Sequence, residues 1–128
     1  MSSVTTVTVF GNPIEPQDNL AVKLVPELER RFKKIEFRIE DPTESLEPAG
    51  DPWVILDVAQ GINEVTVIDN LNDLEGVRGS GAHDYDVYME LRLKEKLGQL
   101  PKIIIILLPN TMPANVALLK TVEYIGKL

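Results

Sequence analysis

Apolar residues along the chain fall into blocks with two different periods. Residues 4–10 are rich in Val and Thr, which suit a pleated surface, and are read as a strand that Gly11-Asn12-Pro13 interrupts. Leu20, Leu24, Leu28 and Phe32 recur every four residues, the mark of one face of an amphipathic helix. Pro26 lies inside that pattern, so the helix either bends there or restarts with Pro26 in its first turn. Residues 35–39 alternate apolar and charged side chains, as a half-exposed strand near a sheet edge does. Pro42, Pro48, Gly50 and Pro52, mixed with acids, make residues 40–52 a loop. Residues 53–56 are uniformly apolar and read as a central strand covered on both faces, ended by Asp57. Residues 60–63 lead to another strand at 64–68, and a link that short forces any direct pairing of the two to be antiparallel. Residues 69–82 read as loop. Residues 85–97 are expected as a helix with Val87, Tyr88, Leu91 and Leu93 on its apolar positions and Gly98 as its stop. A strand at 103–108 and a helix at 114–125, with an apolar stripe of Val116, Leu119, Val122 and Ile125, complete the chain.

This order predicts an α/β protein: a three-layer sandwich whose five-stranded, mostly parallel sheet has one antiparallel edge strand and helices on both faces. The length of 128 residues suits a single domain spanning 1–128. Twenty acidic against 13 basic residues, a formal net charge of -7, argue against a nucleic-acid partner. Zero cysteine excludes disulfides, thiolate metal sites and a cysteine nucleophile, and the single histidine, His83, carries any imidazole chemistry alone. The most apolar run, residues 103–108, is far short of the roughly 20 residues of a membrane helix. The start of the chain has no basic residue and no long apolar core, so a soluble, cytoplasmic protein is expected. A monomer with no membrane partner is the accompanying expectation.

In an open α/β sheet, functional groups gather outside the carboxyl ends of the strands. Three features are expected there: Gly11-Asn12 with Asp18, Asp57, and His83 in Ser80-Gly81-Ala82-His83-Asp84. Asp18 also suits a plain helix N-cap, with Glu15 as a second local acid. Asp57 follows four apolar residues, where an unpaired carboxylate is costly, which favours a functional role. His83 opens a helix, a setting that favours the neutral, ligating imidazole. Tyr85 and Tyr88 are read as packing residues. Two carboxylates and an imidazole make a mixed oxygen and nitrogen donor set suited to a borderline divalent metal such as nickel or zinc.

With these residues in order, the chain resembles the hydrogenase maturation endopeptidases, in particular short, archaeal-type members. The resemblance rests on Phe10-Gly11-Asn12 followed by Gln17-Asp18-Asn19, on Val54-Ile55-Leu56-Asp57-Val58, and on Ser80-Gly81-Ala82-His83-Asp84. It implies an endopeptidase that trims the C-terminal extension from the nickel-loaded large-subunit precursor of a nickel-iron hydrogenase. By that resemblance Asp18, Asp57 and His83 would contact the nickel and serve catalysis, Gly11 and Asn12 would meet the substrate tail, and the precursor would supply the nickel. An alternative from the same resemblance is a non-catalytic chaperone that binds nickel or the precursor. Either the metal polarises the scissile carbonyl or activates a water, or a carboxylate acts as general base.

Overall fold

Five strands in the order β2-β1-β3-β5-β4 make one sheet, with every neighbouring pair parallel except β4 with β5. The structure, a computed structural model, describes residues 4–11, 19–41, 46–77 and 82–128, with backbone alone for 75–77 and 82–86. Its elements are β1 (Thr6–Phe10), α1 (Leu20–Arg31), β2 (Glu36–Glu40), β3 (Trp53–Ala59), β4 (Thr66–Ile68), α2 (Leu71–Val77), α3 (Ala82–Lys96), β5 (Ile103–Pro109) and α4 (Ala114–Gly126). The expected α/β sandwich is therefore observed, with β4 as the antiparallel edge.

Strand alternation divides the core in two. Val7, Val9, Val54, Leu56, Ile106 and Leu108 face α1 and α4. On the other face Phe10, Trp53, Ile55, Ile105 and Leu107 pack against α2 and α3. β3 is hydrogen-bonded on both edges and covered on both faces, which explains its unbroken apolar start. The Trp53 indole Nε1–H donates to Thr8 Oγ1 at 3.0 Å inside the core, and both residues are fully buried.

α1 runs through Pro26 without restarting, and Pro26 lies on the exposed side. Asn19 occupies the N-cap position, its carbonyl accepting from Lys23 N–H at 2.9 Å, while Asp18, expected as the cap, lies outside the described residues. α3 ends at Gly98, whose φ of +70° is the left-handed conformation that stops a helix.

Four expectations need correction. β3 continues two residues past Asp57, which lies inside the strand because β5 still pairs with it there. The strand at 64–68 shrinks to three residues, Thr66–Ile68, and its antiparallel partner is β5. Residues 71–77, expected as loop, form α2. Its described core residues, Leu71 and Leu74, are too few to show a period, but Asn70 caps it by accepting from Asp73 N–H at 2.9 Å. The stripe of α4 is rotated from the expected one: Ala117, Thr121 and Ile125 are buried, Leu119 is 65% exposed and Val116 is exposed as well. Thr121 tolerates burial because its hydroxyl donates to Ala117 O at 2.8 Å.

Two stability outcomes follow. Thr8→Val leaves the Trp53 N–H buried without an acceptor and is expected to cost about 1–3 kcal/mol in urea unfolding followed by the fluorescence of the lone tryptophan. Leu119→Gln is expected to stay within about 0.5 kcal/mol of the parent, whereas Ala117→Leu overpacks the α4 layer and costs about 1–3 kcal/mol.

Candidate functional site

The sheet splits at its carboxyl edge. β1 and β3 stay in register from Val7 with Val54 to Val9 with Leu56, and there their pairing stops. Beyond it, Phe10 pairs only outward with Glu40 of β2, while Asp57, Val58 and Ala59 pair only with β5. Chain order explains the divergence: β1 continues to β2 on one side, and the chain then crosses to β3 on the other. This is a topological switch point, the place where open α/β sheets form their binding crevice.

Asp57 is the one charged residue of β3, and it sits at this split. By strand alternation it points to the α2/α3 face, as do Trp53 and Ile55. It is half-buried, and its Oδ1 accepts the Val58 N–H at 2.8 Å, which orients the carboxylate. Gly11 follows β1 directly, on the other bank of the crevice, its N–H donating to Glu40 O at 3.3 Å.

A cavity of about 40 Å³ adjoins Asp57. Its walls include Phe10 from β1, Leu74 from α2, Val87 and Tyr88 from α3, and Leu107 from β5. The second turn of α3 therefore lies over the carboxyl end of β3. α3 leads into a parallel strand, so it starts at the carboxyl edge; it begins at Ala82, three residues earlier than the pattern suggested, and His83 falls in its first turn. The side chain of His83, like Asn12, Glu15 and Asp18 as a whole, lies outside the described residues. The structure thus brings Gly11, Asp57 and the His83 backbone to one edge of the sheet. Among the described residues no three His, Cys, Asp or Glu side chains form a metal-holding group, but two of the three expected ligands are outside that set.

A polar network that the sequence pattern did not reveal holds the cover of this cavity together. Arg92 Nε–H donates to the Tyr88 hydroxyl at 2.9 Å, one guanidinium nitrogen donates to Glu95 at 2.8 Å, and the other donates to Asn72 Oδ1 of α2. The guanidinium carbon also lies 5.4 Å from the Tyr88 ring centroid, within cation–π range. The Tyr88 hydroxyl and Glu95 hold the guanidinium above its ordinary pKa. Tyr88, expected only to pack, is buried and also lines the cavity beside Asp57. An Arg four residues after a Tyr on a helix was the one available signal, and Asn72 is 20 residues away in sequence.

The fold and crevice define an α/β protein with a switch-point site. The chain matches no family model and no curated protein. It is similar in structure to an uncharacterized protein from Wolinella succinogenes known from its crystal structure, with a TM-score of 0.56, 15% sequence identity, and coverage of 97% of this chain and 98% of that one. At that identity the likeness concerns the fold alone. Among the described residues no helix is long and apolar enough to cross a membrane.

Replacing Arg92 with Met is expected to detach α2 from α3. Backbone amides of residues 71–77 should then exchange with deuterium several-fold faster while those of α4 keep their protection; equal exchange in α2 would contradict the clamp.

Proposed function

We propose that the protein is an endopeptidase of the hydrogenase maturation type that removes the C-terminal extension of a nickel-loaded hydrogenase large-subunit precursor. The observation that carries the reading is Asp57, a carboxylate projecting from the central strand where β1 and β3 part. Further support comes from the neighbours of that position. Gly11 stands on the facing strand end and leaves backbone room for a peptide, and His83 lies in the helix turn that precedes the cavity residues Val87 and Tyr88. Asp18 directly precedes the Asn19 cap of α1, and Asn12 follows Gly11.

Nickel on this reading is part of the substrate, delivered by the precursor. Asp18, Asp57 and His83 would offer it a mixed oxygen and nitrogen donor set and leave its other positions to the precursor. Nickel held there supplies Lewis acidity toward the scissile carbonyl or a water. The chain's own part is to orient a carboxylate, as the Val58 N–H does for Asp57, so that it can take a proton from the attacking water. The protein works on this reading as a cytoplasmic monomer.

The test mixes the protein with nickel-loaded precursor and looks for a released C-terminal peptide by mass spectrometry. Asp57→Asn keeps an oxygen for the Val58 N–H, so folding is expected to survive while cleavage falls about a hundredfold or more. Asp18→Asn and His83→Ala are expected to weaken nickel binding in calorimetry without lowering the thermal midpoint. Precursor that binds but stays intact would support the chaperone reading instead, and unchanged nickel affinity in all three variants would remove the site.

A further inference from the structure

α3 carries apolar residues on two sides. Tyr88 and Leu91 are buried in the core beneath it, whereas Met89, Leu93 and Leu97 are 47%, 51% and 59% exposed. Leu93, expected among the apolar core positions of this helix, thus turns outward, and Val87, Tyr88 and Leu91 form the inner face without it. The three exposed residues recur every four positions and make one row along the helix, with Leu93 about half a revolution from Leu91. Among the described residues the other exposed large apolar side chains are Ile39, Val67, Val116 and Leu119, no more than two to an element. Scattered apolar residues need no explanation, but a helix that is apolar on two sides is normally covered on both.

The charge order along α3 says what covers it. Before Leu91 the Asp, Glu, Lys and Arg residues of the helix are Asp84, Asp86 and Glu90; after it they are Arg92, Lys94, Glu95 and Lys96. Glu90, Lys94 and Lys96 form no ion pair within the chain among the described residues. A second copy laid antiparallel, with the two-fold axis at Leu93, sets Met89 against the partner's Leu97 and Leu93 against the partner's Leu93. The same operation sets Glu90 beside the basic turn at 94–96 of the other copy, and symmetry repeats every contact. A parallel pairing would instead bring the acidic turns of both helices together and the basic turns together. A row at i, i+4 and i+8 is also the ridge that interdigitates in the commonest class of helix packing.

We propose that the outer face of α3 is a self-association surface, on which two copies of this chain pair antiparallel through Met89, Leu93 and Leu97. One helix face is a small interface, so the pairing is reversible: the monomer is the working unit at the dilution of a peptidase assay, and the dimer forms as concentration rises. Each copy keeps its own Asp57 crevice, which lies under the opposite side of α3, so the pairing stands or falls separately from the peptidase reading.

The experiment is sedimentation equilibrium of the full chain between about 1 µM and about 1 mM. A reversible monomer–dimer equilibrium is expected, and Leu93→Glu should weaken it at least about tenfold, because the residue on the two-fold axis places two like charges together. Both Leu93 and Leu97 are more than half exposed, so Leu93→Glu and, as a second variant, Leu97→Glu are expected to keep the parent's melting temperature in circular dichroism. Glu90→Lys should also weaken the pairing, and adding Lys94→Glu to it should restore it. The cysteine-free chain gives a clean background for the orientation. Under mild oxidation Leu93→Cys should cross-link to itself, and a mixture of Met89→Cys and Leu97→Cys should cross-link far more than either variant alone. A chain that stays monomeric throughout the concentration range overturns the proposal. So does a dimer that both glutamate variants leave unchanged, since it then forms on another face. Met89→Cys that cross-links to itself as readily as to Leu97→Cys overturns the antiparallel arrangement.

Discussion

Everything in this protein is arranged around the double pairing of β3. Bonded to β1 on one edge and β5 on the other, and roofed by helices on both faces, β3 has no solvent to offer a polar side chain along most of its length. Its first four residues are accordingly Trp, Val, Ile and Leu, and all are fully buried. The Trp53–Thr8 hydrogen bond satisfies the one donor that this burial would otherwise strand, and it joins β3 to β1 across that face of the sheet. Pairing with β1 then stops at Leu56, and the next residue is the strand's one charged group. The position of Asp57 is thus a consequence of topology. A carboxylate becomes tolerable on the central strand only where the neighbouring strand departs and the interior opens.

That opening has a built cover. α2 is only seven residues long, and its described core residues are Leu71 and Leu74. Arg92 adds a polar tie, reaching Asn72 on α2 while its own helix presents Tyr88 and Val87 to the cavity. A surface ion pair such as Arg92–Glu95 adds little by itself. Its use here is directional, since it holds the guanidinium in the fork that spans the two helices. The consequence for the proposed chemistry is a cavity with fixed walls beside a carboxylate with a fixed orientation.

The candidate site was legible in the sequence to the extent that each piece is local. An acid closing an apolar run, a Gly-Asn break after the first strand and a histidine at a helix start are all features of adjacent residues. The cavity was not legible, because its walls are contributed by five elements. Nor was the clamp, because Asn72 and Arg92 are near each other only after α2 folds back on α3. The α4 stripe shows the same limit in another form. Val116 and Leu119 are the more apolar residues, yet Ala117 and Thr121 face the interior. α1 and α4 lie side by side on one face of the sheet, and Ala21 and Ala117 are both fully buried there, so closeness of approach outweighed hydrophobicity.

What the sequence by itself determined is the succession of elements, the α/β class and the central place of residues 53–56. Those follow from periodicity and from the exclusion of polar groups at doubly covered positions, and both act over a few neighbouring residues. The tertiary structure alone decided where β1 and β3 separate, which side of α4 turns inward, that residues 71–77 become a helix, and that an apolar cavity meets Asp57. These depend on contacts between residues far apart in the chain, whose free energy exists only once the sheet has formed and set the distances at which side chains must fit.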